Sequence, residues 1–274
     1  MTLPLSFHQK FAPEKEAIAQ LVQFASSFSE KYFTKEEISS QTTIPTGKVS
    51  GKVVPHIEYA ILMGLLEVKK DKSKYQLSLT SLGNVVSEED PYLIESLTHL
   101  LCHYNLTNVN SKALLWSFIF NNLFNTQGLQ ITSDSLKRAV NRFFETKEVN
   151  ISPFRTCYLE EKCFGNLNLL NFEEGKFLLK PHKVDRTFKF LYGYLLLFHW
   201  EKILSDESEI TYDTLLNDLG FGNPFMWDET SINEVLEMLQ EERIIVINRQ
   251  LSPVTFIKQT SSSTLLVKVY SLLI

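Results

Sequence analysis

The chain predicts a mainly α fold with small β-hairpins, and three observations predict it. Apolar residues recur at helical spacing through most of the 274 residues. Short apolar or alternating runs, each broken by a polar tip, interrupt that spacing near 66–79, 164–180 and 244–259. Glycine and proline number only ten and nine, against twenty Phe and ten Tyr, which favours ordered elements over linker.

Taken in order, 13–28 sets Ala17/Ile18, Leu21/Val22 and Phe24/Ala25 on one helical stripe. Thr34-Lys-Glu-Glu37 is a capping box, in which Thr34 caps a new helix and Glu37 reaches back to its amide. That helix is short, because Thr42-Thr43-Ile44-Pro45 stops it. Proline is tolerated only in a first turn, so Pro55 places the next helix start between Ser50 and Pro55. Its apolar face is Ile57, Ala60, Ile61 and Leu65. Leu66-Glu-Val-Lys and Tyr75-Gln-Leu-Ser-Leu then alternate as strands around a lysine-rich tip, and Thr80-Ser81 caps another helix. Helix, short helix, turn, helix, hairpin is the winged-helix order.

From Asp90-Pro91 to about Pro181 the pattern is mostly helical, at 91–102, 112–124 and 136–146, the last capped by Thr132-Ser-Asp-Ser135. A second small hairpin, 164–170 with 176–180, turns at Glu173-Glu-Gly175. The end of the chain repeats the theme with helices at 186–204, 211–219 and 230–241 and a closing hairpin, 244–248 with 254–259. The expectation is tandem winged-helix-like modules around a helical middle region: 1–90, 91–185 and 186–274. No clean sequence repeat accompanies them.

Hydrophobic residues make up 44% and charged residues 22%, ordinary for a soluble domain. The richest apolar stretch, 188–200, is broken by Lys189, Gly193 and His199, so no membrane span is expected. The start of the chain has no basic region followed by a cleavage signature, and the three cysteines form no CxxC, so a cytoplasmic location is expected. A net charge of −5 excludes a generally basic coat, leaving only a local patch for nucleic acid.

That patch is the run from Thr46 to Lys74. The Gly47/Gly51 turn holds Thr46, Lys48, Ser50 and Lys52 before a helix N-terminus, where free amides favour anions. His56 follows on the helix, and Lys69, Lys70, Lys72 and Lys74 sit on or beside the hairpin tip. Six lysines against Glu58, Glu67 and Asp71 leave a small local surplus, so phosphate contact should be modest and salt-sensitive. A merely solvated turn and hairpin remain the other reading. The spacing is not that of a Walker A loop, with three residues between the glycines and Val53 after the lysine.

Elsewhere His99, Cys102 and His103 share a helical face, but their neighbours Leu100, Leu101 and Tyr104 point to packing rather than metal. Cys157 and Cys163 read as buried thiols. Glu160/Glu161 and Glu173/Glu174 read as exposed acids, and no Ser/His/Asp order or G-x-S-x-G occurs. No catalysis, cofactor or metal is expected.

Several segments together resemble an uncharacterised prokaryotic family, domain of unknown function four thousand and seven. They are Phe7-His-Gln-Lys-Phe11, Tyr59 through "MGLLE", "LTSLGNVV" with "DPYL", Cys102-His-Tyr104, "SLKRAVNRFF" and "YLLLFHW". The order covers nearly the whole chain. The resemblance implies a helix-rich bacterial or archaeal accessory protein, encoded beside sulfur-transfer DNA-modification or phage-defence genes, with no established catalysis. This chain departs just after Phe11, with Pro13-Glu-Lys-Glu16 where many relatives carry Arg and Trp. The expected role is a DNA-binding accessory protein of such a system, with protein partners from neighbouring genes. The alternative is an adaptor without DNA contact, favoured by the net charge and the acidic helix near 228–242.

Overall fold

One local pattern recurs three times in the computed structural model, which describes residues 5–47, 50–250 and 252–272. A hydrophobic residue followed by threonine forms a short strand, and the threonine then caps a helix. The pairs are Phe33-Thr34, Ile131-Thr132 and Ile210-Thr211, and each threonine hydroxyl accepts from an amide three residues on, at Glu37, Ser135 and Thr214. Capping ends the strand at once, because the hydroxyl must turn back over the new helix.

Around this pattern the elements run α1 (Lys15–Phe28), β1 (Phe33–Thr34), α2 (Lys35–Gln41), α3 (Val53–Leu62), β2 (Leu66–Asp71) and β3 (Lys74–Leu79). Helices α4 (Ser81–Glu89), α5 (Ser96–Thr107), α6 (Leu114–Phe118) and α7 (Phe124–Gln127) follow. Next come β4 (Gln130–Thr132), α8 (Ser133–Phe143), α9 (Ser152–Leu159), β5 (Leu170–Glu173) and β6 (Lys176–Leu179). The last series is α10 (Lys189–Ile203), β7 (Glu209–Thr211), α11 (Tyr212–Asn217), α12 (Glu229–Glu241), β8 (Ile245–Asn248), β9 (Thr255–Lys258) and α13 (Ser262–Leu266).

The fold is therefore mainly α with three small antiparallel sheets, ordered β1-β3-β2, β4-β6-β5 and β7-β9-β8. In each, the residue before the capping threonine lies opposite an aromatic: Phe33 opposite Tyr75, Ile131 opposite Phe177, Ile210 opposite Phe256. The middle region, expected to be helical with one hairpin, thus carries a complete sheet of the same order.

Two element boundaries differ from the sequence expectation for identifiable reasons. Helix α5 starts at Ser96 rather than 91, because the Asp90 carboxylate accepts from Ile94 N and Glu95 N and Leu93 takes a φ of 51°. Strand β5 starts at Leu170 rather than 164. Gly165 lies so close to the Glu160 backbone that a Cβ would sit 2.8 Å from it, and Asn168 takes a left-handed φ, so 164–169 form a tight turn.

The chain divides into two compact units. One runs to Lys180 without Asn108–Asn110; the other takes those three residues and the chain from Pro181 onward. In the first unit, the described residues before 91 share one core with those of 91–107 and 111–180. Tyr59 of α3 packs edge-on against Trp116 of α6 at 5.7 Å, and the Asn105 amide of α5 donates to Met63 O. In the second unit, α10 buries Tyr192, Leu195 and Trp200, and Gly193 lets Ile244 and Leu239 approach its backbone. Among the described residues no helix is long and apolar enough to cross a membrane.

Candidate nucleic-acid interface

The Gly47–Gly51 turn closes on itself. A Cβ at Gly51 would lie 2.5 Å from Thr46 Oγ1 and 2.9 Å from Gly47 N, so this glycine serves the turn's own packing. Thr46 is half-buried beneath it, Ser50 is exposed, and Lys48 lies outside the described residues. Lys35, on α2, donates to Gly47 O at 2.8 Å and braces the turn from below.

Lys52 and His56 belong to a closed ring of polar contacts that joins the starts of α1 and α3. The Glu14 amide donates to His56 Nε2 at 3.1 Å, and His56 Nδ1–H donates to Lys52 O at 2.7 Å. Lys52 Nζ closes the ring on the Glu14 carboxylate, at 2.6 and 2.9 Å. One ring nitrogen accepts and the other donates, so His56 is held neutral. Burial lowers its pKa, against the raising influence of the Lys52 carbonyl and the Glu14 charge. Burial also pushes Glu14 up, but the bond and charge of Lys52 outweigh it and leave the carboxyl below its usual range.

His56 is fully buried and cannot reach a base edge. Every residue of α3 is in fact buried or half-buried. Its outer side is covered by the N-terminal segment: Tyr59 OH donates to Phe11 O, and Phe7 packs edge-on against Tyr59 at 5.0 Å. A helix that is apolar on all sides belongs in a core. The helix that a winged-helix protein would insert into a groove is here an internal strut.

The β2–β3 hairpin is different. Six residue pairs run from Leu66↔Leu79 to Asp71↔Lys74, with Lys72-Ser73 as a two-residue tip and Lys72 at φ 52°. Alternation sends Leu66, Val68 and Lys70 to one face and Glu67, Lys69 and Asp71 to the other. Lys70 turns inward, where it pairs with the buried Glu58 carboxylate at 2.9 Å and lies 5.4 Å from the Tyr75 ring. Lys69, Lys72 and Lys74 remain exposed, and no ion pair holds any of them among the described residues. Lys74 also helps, after two hydrogen bonds involving Thr34, to hold the Glu37 carboxyl low. Of the nine sequence candidates the structure therefore displays Ser50 and three hairpin lysines without a partner, buries His56, and pairs Lys52 with Glu14 and Lys70 with Glu58.

Among the described residues, the connections of the other two hairpins display no unpaired basic side chain. The β5–β6 tip is Glu174-Gly175, and in the β8–β9 connection Arg249 pairs with Glu237. Helix α12 presents Glu229, Glu234, Glu237 and Glu241 to solvent.

The three-residue cluster His99/Cys102/His103 is buried. His99 Nε2–H donates to Leu93 O and its Nδ1 accepts from Asn166, while His103 Nδ1 contacts the Tyr158 hydroxyl at 2.9 Å. Cys102, Cys157 and Cys163 are buried free thiols, and burial pushes Cys163 up to about 12. Among the described residues no group of three His, Cys, Asp or Glu side chains is arranged to hold a metal.

Sequence reasoning missed Glu14 and counted Glu58 only toward the local charge, without seeing that each takes one of the lysines. Each partner lies 38 or 12 residues from its lysine, and no local pattern links them.

No family model and no curated protein matches the chain. Its fold is shared with solved structures, among them two of SspB. The magnesium ion-bound SspB crystal structure superposes with a TM-score of 0.75 and 16% identity, covering 97% of this chain and 86% of that one. A second SspB crystal structure gives a TM-score of 0.72 at the same identity and coverage. At that identity, what the chain and SspB have in common is a fold that spans almost the whole of both.

Proposed function

We propose that this chain is a DNA-facing accessory protein of a prokaryotic DNA-modification or antiviral defence system, and that the β2–β3 hairpin touches the phosphate backbone as a wing. Three series of strand, helix, helix and hairpin, each with the first strand beside the last, support reading the fold as tandem winged-helix-like modules. The resemblance to domain of unknown function four thousand and seven supports the setting. The observation that carries the contact is the hairpin itself: Lys69, Lys72 and Lys74 stand exposed on a two-stranded tip, whereas the described residues of the other two hairpin connections are acidic or paired. The covered α3 makes the expected contact one of backbone gripping without base readout. No catalytic role and no cofactor is part of this reading.

The acidic face of α12 favours a second role, docking of a basic surface on a partner protein from a neighbouring gene. Both roles can reside in one chain on separate surfaces. The test is a Lys69→Glu/Lys72→Glu/Lys74→Glu variant assayed for duplex DNA binding and for co-purification with the products of neighbouring genes. Loss of DNA binding with retained co-purification assigns the two surfaces separately. Duplex binding equal to wild type in this variant contradicts the hairpin contact.

A further inference from the structure

The loop between α4 and α5 exposes two large apolar side chains, and it does so on a rigid frame. Tyr92 and Ile94 are each 69% exposed, while Leu93 between them is fully buried. The frame is built from two buried polar side chains, Asp90 and His99, and the exposed Gln23. The Asp90 carboxylate accepts from Ile94 N at 2.9 Å and Glu95 N at 3.0 Å, His99 donates to Leu93 O at 2.6 Å, and Gln23 donates to Pro91 O. A loop fixed at four points does not expose a tyrosine and an isoleucine by fraying. Solvent exposure of such side chains, held in place, marks a contact surface.

Both side chains border a cavity of about 620 Å³, within the size range of small-ligand sites. Its wall also carries three lysines, Lys15, Lys52 and Lys162, against two carboxylates, Glu14 and Glu16. Lys52 is held by Glu14, and Lys162 is shared between Glu160 at 2.8 Å and Glu14 at 3.6 Å. Lys15 makes no ion pair among the described residues. The cavity therefore combines a flat aromatic and an aliphatic group at its mouth with ammonium groups in its wall.

We infer that this cavity receives one nucleotide of a single-stranded nucleic acid, its base against Tyr92 and Ile94 and its phosphate on Lys15 and Lys162. A base has an apolar face that an exposed tyrosine can stack on. A phosphate suits Lys15, which has no carboxylate in an ion pair among the described residues, and competes for Lys162 with its solvent-exposed pairing to Glu160 and Glu14. Single-strand binders combine these two features without base readout. The inference rests on the DNA-facing reading above, but it uses residues other than the hairpin lysines.

The test is fluorescence anisotropy of a labelled oligo-dT strand with the full chain at about 50 mM salt, where phosphate contacts are strongest. Tyr92→Ser and the pair Lys15→Gln/Lys162→Gln replace side chains that are exposed or half-buried, and circular dichroism checks that the fold is kept. Each is expected to weaken oligo-dT binding at least about five-fold. The hairpin variant Lys69→Glu/Lys72→Glu/Lys74→Glu is expected to lose duplex binding first, so the two surfaces fail separately. Absence of oligo-dT binding by wild type, or wild-type binding by both cavity variants, overturns the inference. So does an oligo-glutamate peptide that binds wild type and loses binding in the cavity variants while oligo-dT does not, which would assign the cavity to an acidic protein segment.

Discussion

His56 shows how a single residue's role follows from its partners. Its type and its place after a lysine-containing turn suggest a surface contact, yet both ring nitrogens are taken by backbone groups of Glu14 and Lys52. Replacing it with leucine leaves the Glu14 amide without its partner, while the Lys52 carbonyl keeps the helical bond from the residue-56 amide. The expected cost is about 1–3 kcal/mol where that amide finds no water. Urea denaturation of His56→Leu measures it, and a change under about 0.5 kcal/mol would show that the ring of contacts adds little. The lysines illustrate the same point. Lys52 and Lys70 look free in the sequence, because nothing near them says that Glu14 and Glu58 will fold against them.

Among the elements, the signals that can be read are those written within a few residues. Thr34, Thr80 and Thr132 cap the helices that follow them, and the hairpin at Leu66–Leu79 is legible from its alternation and polar tip. Strands β1, β4 and β7 are not legible, since two or three residues give no alternation to detect. They become visible only once Phe33, Ile131 and Ile210 are seen opposite their aromatic partners. The burial of α3 is equally hidden, because its covering segment, Phe7 to Phe11, lies some 50 residues earlier, a separation that Tyr59 OH to Phe11 O spans with 48. The repeated threonine makes a testable case. Thr132→Ala removes the cap of α8 and is expected to cost about 1 kcal/mol in thermal or urea unfolding, while Thr132→Ser is expected to keep most of it. Equal stability of the Ala and Ser variants would deny the cap its part in the element.

For the whole molecule, the buried histidines set the response to acid. Burial lowers His8 to about 4 and His199 to about 3, and lowers His56, His99 and His182 as well. These groups fold neutral, so their contribution is complete above the unfolded value near 6.5. It is lost as pH falls below that value, because the unfolded chain then binds protons the folded one refuses. One pH unit below 6.5 each such histidine removes up to about 1.4 kcal/mol. Unfolding free energies measured at pH 7.5 and 5.5 should therefore fall clearly, and a flat profile would contradict the buried, neutral state of these side chains.

At the same scale the net charge of −5 works against any DNA contact, so a few lysines on one hairpin must carry it. The most direct test of that claim is duplex DNA binding by the full chain as a function of salt. Contact through Lys69, Lys72 and Lys74 predicts binding near 50 mM salt that weakens with a log–log slope of about −2 to −3, and that the triple Glu variant abolishes. No binding by wild type at that salt concentration, or an unchanged slope in the variant, would contradict it.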